Sequence, residues 1–228
     1  ADDTQVYKSF DLNDCLSSIF CIEKCVSDVK AWMTSNKLQM NEDKTDVLLV
    51  TAKRIVNSQH LPKFMNINGT CIKFSPSVRN LGVTLDSTPL LHQHVMNVSR
   101  VAYLELRHIN SIQNLLSVDA VKTLVCSLVL SRIDYCNSLL VGLPQYLIKR
   151  LQGVQNAAAR SILRTPRSEH ISPLLQNLHW LPVNRRTLHK VAALCHSSLS
   201  GSGPQYLSDR THVYTPSRSL RSSSDTLF

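Results

Sequence analysis

Val78-Arg79-Asn80-Leu81-Gly82-Val83-Thr84-Leu85-Asp86-Ser87-Thr88-Pro89 is the stretch at which the chain changes its period. Val78 to Leu85 is short and aliphatic, and predicts a strand. Past Pro89 the apolar residues recur every three to four positions. Val95, Val98, Ala102, Leu106 and Ile109 fall on one helical face, and Val118, Val121, Val125, Leu128 and Val129 on another, behind a Ser117 cap. A third helix carries Leu147, Leu151, Val154, Ala158 and Ile162, and a fourth, opened by Pro182, carries Leu188, Val191, Ala192 and Cys195.

Upstream of the seam the pattern is mixed. Asp11 can cap a helix with the stripe Leu16, Ile19, Phe20, Val26, Val29 and Met33, which stops near Ser35-Asn36. Val47-Leu48-Leu49-Val50 predicts a buried strand. Phe64-Met65-Asn66-Ile67 and Thr70-Cys71-Ile72 predict a hairpin about Asn68-Gly69. A helix with short strands, followed by helices alone, makes the fold class α+β. Beyond Leu199 the chain turns Ser-, Gly- and Arg-rich, which predicts loss of regular structure.

Charge is distributed as unevenly as secondary structure. Of 16 acidic and 25 basic residues, residues 1–90 hold ten of each, so the formal +9 lies entirely in residues 91–228. One-sided basic regions most often meet phosphate backbones, the alternative being a generically basic surface. No apolar run is long enough to cross a bilayer, and no membrane partner is expected. Cys21 and Cys25 lie one helical turn apart without a second Cys or His pair, and His92 and His94 share no metal-ligand spacing, so neither set predicts zinc. Hydrolase signatures such as G-x-S-x-G and H-E-x-x-H are absent.

Seven segments, in order, carry a resemblance. They are Ala1-Asp2-Asp3, Asn41-Glu42-Asp43-Lys44-Thr45, Asn80-Leu81-Gly82-Val83-Thr84-Leu85-Asp86, and Ser131-Arg132-Ile133-Asp134-Tyr135-Cys136-Asn137-Ser138-Leu139-Leu140. Leu151-Gln152-Gly153-Val154-Gln155-Asn156-Ala157-Ala158-Ala159-Arg160, Leu178-His179-Trp180-Leu181-Pro182-Val183 and Ser217-Arg218-Ser219-Leu220-Arg221-Ser222 complete the set. From Ala1 to about Leu220 the chain resembles the C-terminal part of a non-LTR (LINE-type) retrotransposon reverse transcriptase. The resemblance implies the rear of a polymerase palm over 1–88, thumb-like helices over 89–143, a basic helical extension over 144–200 and a poorly ordered tail over 201–228.

It also implies roles. Asp2 and Asp3 would be the metal-binding aspartates of the polymerase turn, with Mg²⁺ (or Mn²⁺) as cofactor, because nucleotidyl transfer uses two hard cations held by converging carboxylates. Lys44 would protonate or stabilise the leaving pyrophosphate. Leu81 and Gly82 would belong to the primer grip, a hairpin pressing on the primer. Lys149, Arg150, Arg160, Arg164, Arg167, Arg185, Arg186 and Lys190 would contact nucleic-acid phosphates. Trp180 could stack on a base but reads better as core, and Tyr135 and Asn137 as helix-end packing and capping.

The implied partners are an RNA template, a DNA primer or target and deoxynucleotides, in a nuclear and cytoplasmic ribonucleoprotein. A further catalytic aspartate, the fingers and the rest of the palm would lie upstream, and as written the chain would not polymerise. Two rivals stand beside this reading, a non-catalytic nucleic-acid-binding remnant and a decayed element.

Overall fold

The computed structural model describes residues 4–11, 14–41, 44–51, 62–67 and 69–212. The chain is α+β and divides into two compact units, Ala1–His94 and Val95–Phe228.

In the first unit, helix α1 (Cys15–Ser35) begins at Asp14, whose side chain makes no capping bond. The expected Asp11 cap is therefore replaced, with the Asp11 carbonyl accepting the Asp14 N–H at 3.0 Å. The expected stripe is only partly covered, with Ile19, Val26, Val29 and Met33 half-buried. Cys15 and Ser18 are buried, whereas Leu16 and Phe20 are 77% and 68% exposed. Strands β1 (Phe64–Ile67) and β2 (Thr70–Lys73) form the expected hairpin. Gly69 sits at φ +90°, a backbone position that suits a residue without Cβ, and its N–H donates to Asn66 Oδ1 at 3.0 Å. Asn68 lies outside the described residues. The Asn66 N–H donates to Glu23 Oε1 at 2.7 Å, so a charged side chain of α1 covers part of the edge of β1.

Val47 to Val50 does not become a full strand. It makes one parallel bridge, Val47 to Phe74, and the Val47 carbonyl accepts the Ser75 N–H at 2.8 Å. Val78 to Leu85 is not one strand either. Strand β3 (Ser77–Asn80) folds back onto β4 (Val83–Asp86) through Leu81 at φ +45° and Gly82 at φ +85°. Two consecutive positive φ values make a type I′ turn, whose twist matches paired antiparallel strands. Glycine adopts this freely; leucine is strained there.

The second helix, α2 (His92–Ile112), starts against this hairpin. Asp86 Oδ2 accepts the Gln93 N–H at 3.1 Å, and His94 Nδ1 accepts the Thr84 N–H at 3.4 Å. Both bonds lie within the first unit, which runs to His94. Among the described residues only Cys15, Met65, Ile67, Val83 and Leu91 form its buried apolar core, against twenty-two such residues from Val95 onward.

The second unit is helical. Val95, Ala102, Leu106 and Ile109 of α2 are buried as the spacing requires. Helix α3 (Val118–Val125) is capped by Ser117, whose Oγ accepts the Ala120 N–H at 3.2 Å. A π-helical turn, Cys126–Leu130, leads into α4 (Ser131–Asp134), and a 3₁₀ turn, Asn137–Leu140, precedes α5 (Gln145–Leu163). Every residue expected on the α5 stripe (Leu147, Leu151, Val154, Ala158, Ile162) is buried. Helix α6 (Ile171–Asn177), not anticipated from the sequence, adds Leu174 and Leu175 to this core.

Helix α7 (Val183–Leu199) presents a different face from the one expected. Val183, Thr187 and Ser198 are buried, while Leu188 is 50% exposed. Thr187 can go inside because its hydroxyl donates to the Asn184 carbonyl at 2.8 Å, and Ser198 because its hydroxyl donates to the Leu194 carbonyl at 2.8 Å. Past Leu199 the chain is not irregular throughout. Helix α8 (Gln205–Ser208) follows Pro204, and Ser208 Oγ donates to the Ser198 carbonyl at 2.9 Å. Ser217 to Ser222 lies outside the described residues.

Two glutamines, Gln155 buried and Gln152 half-buried, join the Leu151–Arg160 segment to the Leu178–Val183 segment. Gln155, fully buried, donates from Nε2 to the Leu181 carbonyl at 2.8 Å and accepts from Gln152 Nε2 at 2.9 Å. Gln152 Oε1 accepts the Val183 N–H at 2.8 Å, and its Nε2 also donates to Asn156 Oδ1 at 2.8 Å. The start of α7, where Pro182 supplies no side-chain cap, is thereby capped from α5.

Candidate nucleic-acid interface

Between Tyr135 and Ser208 the sequence holds eight basic residues and a single acid, Glu169. Folding separates the eight into two groups. Arg160 Nη2 donates to the Glu169 carbonyl at 3.0 Å, and its Nε is buried. Arg164 Nη2 donates to the Gln113 and Leu116 carbonyls at 3.0 and 3.4 Å, closing the C-terminal end of α2. Arg186 Nη1 grips both carboxylate oxygens of Asp134 at 2.8 and 3.0 Å. These three arginines are engaged by the chain itself.

Lys149, Arg150, Arg167, Arg185 and Lys190 are exposed, and among the described residues none of the five pairs with an acid. Helices α5 and α7 pack together. The bond from Val183 to Gln152 places the start of α7 one turn along α5 from Lys149. Arg185 is in the first turn of α7, so adjoining helices carry cations about 35 residues apart in sequence. An uncompensated cationic surface of this kind attracts polyanions at long range and releases their counterions on contact.

Asp134 is held from two sides. Burial raises its pKa above the ordinary carboxylate value, while Arg186 and the Asn137 amide, donating to Oδ1 at 3.4 Å, pull it back down. The Asn137 side chain thus meets Asp134 across the end of α4, and Cys136 between them takes the left-handed conformation at φ +51°. Tyr135 is 51% exposed. Trp180 is buried, and its backbone N–H donates to the Leu175 carbonyl at 2.8 Å, so its ring belongs to the core.

In the first unit the expected catalytic residues are only partly described. Lys44 is exposed beside a turn in which Thr45 Oγ1 donates to the Asn41 carbonyl at 3.0 Å. Leu81, 73% exposed, and Gly82 form the tip of the β3–β4 hairpin. Asp2 and Asp3 lie outside the described residues. No three His, Cys, Asp or Glu side chains among the described residues are grouped to hold a metal ion. No helix among the described residues is long and apolar enough to cross a membrane.

The sequence reading missed Gln152, Gln155 and Asp134. Two glutamines three apart on the buried side of a helix are a usable signal, since buried amides need partners. Asp134 carried no such mark.

No family model, no curated protein and no solved structure matches the chain.

Proposed function

We propose that this chain is a nucleic-acid-binding part of a non-LTR retrotransposon reverse transcriptase, with palm and primer-grip elements in the first unit and a thumb with a basic extension in the second. The observation that carries the reading is the segregated charge: eight bases and one acid over Tyr135 to Ser208, with five of the cations exposed on helices α5 and α7 and in the segment after α5. Phosphate contacts by such cations fix position and supply affinity without reading sequence, as a polymerase that copies any template requires.

The β3–β4 tip supports the same reading. An exposed leucine held at positive φ is locally unfavourable, and such positions concentrate where backbone must approach a ligand. Under this reading Leu81 and Gly82 press on the primer strand, and Lys44 and the Asp2-Asp3 pair serve the reaction centre of the parent enzyme.

The test compares two sets of substitutions in binding to a primed RNA–DNA hybrid. Alanine at Lys149, Arg150, Arg167, Arg185 and Lys190 together is expected to weaken binding by a hundredfold or more at about 0.1 M salt, with unchanged helicity. Arg164→Ala is expected to lower the melting temperature and leave the salt dependence of binding unchanged. Retained affinity in the fivefold variant would reject the reading.

A further inference from the structure

Tyr146 stands three residues before Lys149 and four before Arg150 on α5, so the three side chains share one side of the helix. The orientation of that side is fixed from behind, because Leu147, Leu151, Val154, Ala158 and Ile162 are all buried on the other. The helix cannot roll to bring Tyr146 inside, and the residue is 57% exposed. Helix α5 has no acidic residue along its whole length. A large aromatic ring is therefore presented at the surface next to two cations that the chain leaves uncompensated.

Resting on the nucleic-acid reading above, we propose that Tyr146, Lys149 and Arg150 form a binding step for single-stranded nucleic acid, the ring stacking on an unpaired base and the cations meeting the flanking phosphates. The combination distinguishes a single strand from a duplex. Cations alone serve either equally, but in a duplex the base faces are already stacked on one another and a helix-surface ring cannot reach them. Only an unpaired base offers a face, and an aromatic side chain accepts any base, so the step is indifferent to sequence. The cations, which meet the phosphates of either form, would hold the hybrid, and the ring would add a hold on unpaired template or displaced strand beside it.

The experiment measures binding of the full chain to a labelled 20-nucleotide single strand, as RNA and as DNA, and to a blunt duplex of the same sequence. Tyr146→Leu keeps apolar bulk and helix propensity but has no ring face. It is expected to weaken single-strand binding about tenfold, leave the duplex unchanged and leave the salt slope unchanged. Tyr146→Phe is expected to bind as the parent chain does. Replacing Lys149 and Arg150 by Ala is expected to weaken both forms and make the single-strand salt slope shallower by about 1.4. The proposal is overturned if Tyr146→Leu changes single-strand affinity less than twofold, or lowers single-strand and duplex affinity alike. A parent chain that binds neither form at low salt would sink the nucleic-acid reading itself and this proposal with it.

Discussion

Replacing Gln155 by Met should destabilise the second unit by about 2 kcal/mol. The side chain is fully buried and joins α5 to the start of α7 through two hydrogen bonds, to the Leu181 carbonyl and from Gln152. Methionine fills nearly the same volume, so cavity formation is a minor part of the loss. The Leu181 carbonyl loses the donor provided by Gln155. An unsatisfied buried acceptor costs about 1–3 kcal/mol, and the second bond adds about 0.5–1.5 kcal/mol. Removing the buried amide of Gln155 returns part of that, and Gln152 keeps Asn156 as an alternative acceptor. In a unit of this size each kcal/mol moves the melting temperature by about 3–5 °C, so a decrease of about 6–10 °C follows. The assay is urea unfolding of the full chain followed by tryptophan emission. Trp180 is buried next to the orphaned carbonyl, whereas Trp32 is 61% exposed and changes little. Gln152→Met, and the double variant, should show coupling of about 1 kcal/mol because the two amides are bonded to each other. A loss under about 0.5 kcal/mol in Gln155→Met, or strictly additive single variants, would refute the claim that these glutamines join the two segments.

Two further expectations concern the first unit. Leu81→Asn should stabilise it by about 0.5–1 kcal/mol, since asparagine tolerates the positive φ that strains leucine, and should weaken hybrid binding if the tip presses on nucleic acid; parallel urea melts and binding titrations read both effects. His94 is buried, which lowers its pKa, with Asp86 opposing; the unfolded chain therefore binds a proton that the folded one resists as the pH falls below about 6.5. Stability should be full above that value, decline as pH drops toward the lowered folded pKa and level off below it, and His94→Gln should flatten the decline in urea midpoints measured from pH 7.5 to 5.

What the sequence made legible depended on whether local rules faced competition. Helix α5 was readable to the residue because its apolar positions keep strict spacing and the polar residues buried with them, Gln155 and Ser161, do not interrupt it. Helix α7 was misread by one position because Thr187 and Ser198 are buried, their hydroxyls returned to backbone carbonyls, while Leu188 faces water. Apolar spacing cannot report a polar residue that satisfies itself. The turn at Leu81-Gly82 was hidden from local preference, because leucine is a poor residue for positive φ and argued for one continuous strand, although the resemblance had put these two residues in a hairpin. Along α1 the apolar residues were visible, but Leu16 and Phe20 find no core in this chain.

The candidate site divided in the same way. Segregation of charge was plain from counting. Which arginines were committed was not, because Arg160 and Arg164 end on backbone carbonyls, which every residue has, and Arg186 on an aspartate 52 positions away. Long-range pairing of that kind leaves no trace in spacing.

The central claim, that the exposed cations of α5, α7 and the loop between them bind nucleic-acid phosphates, is tested most directly by one titration. The affinity of the full chain for an RNA–DNA hybrid is measured at five or more salt concentrations, and its logarithm plotted against that of the salt. If Lys149, Arg150, Arg167, Arg185 and Lys190 each meet about one phosphate, the line should fall with a slope between about −3 and −5. A slope near zero, or no binding at the lowest salt, would contradict the account.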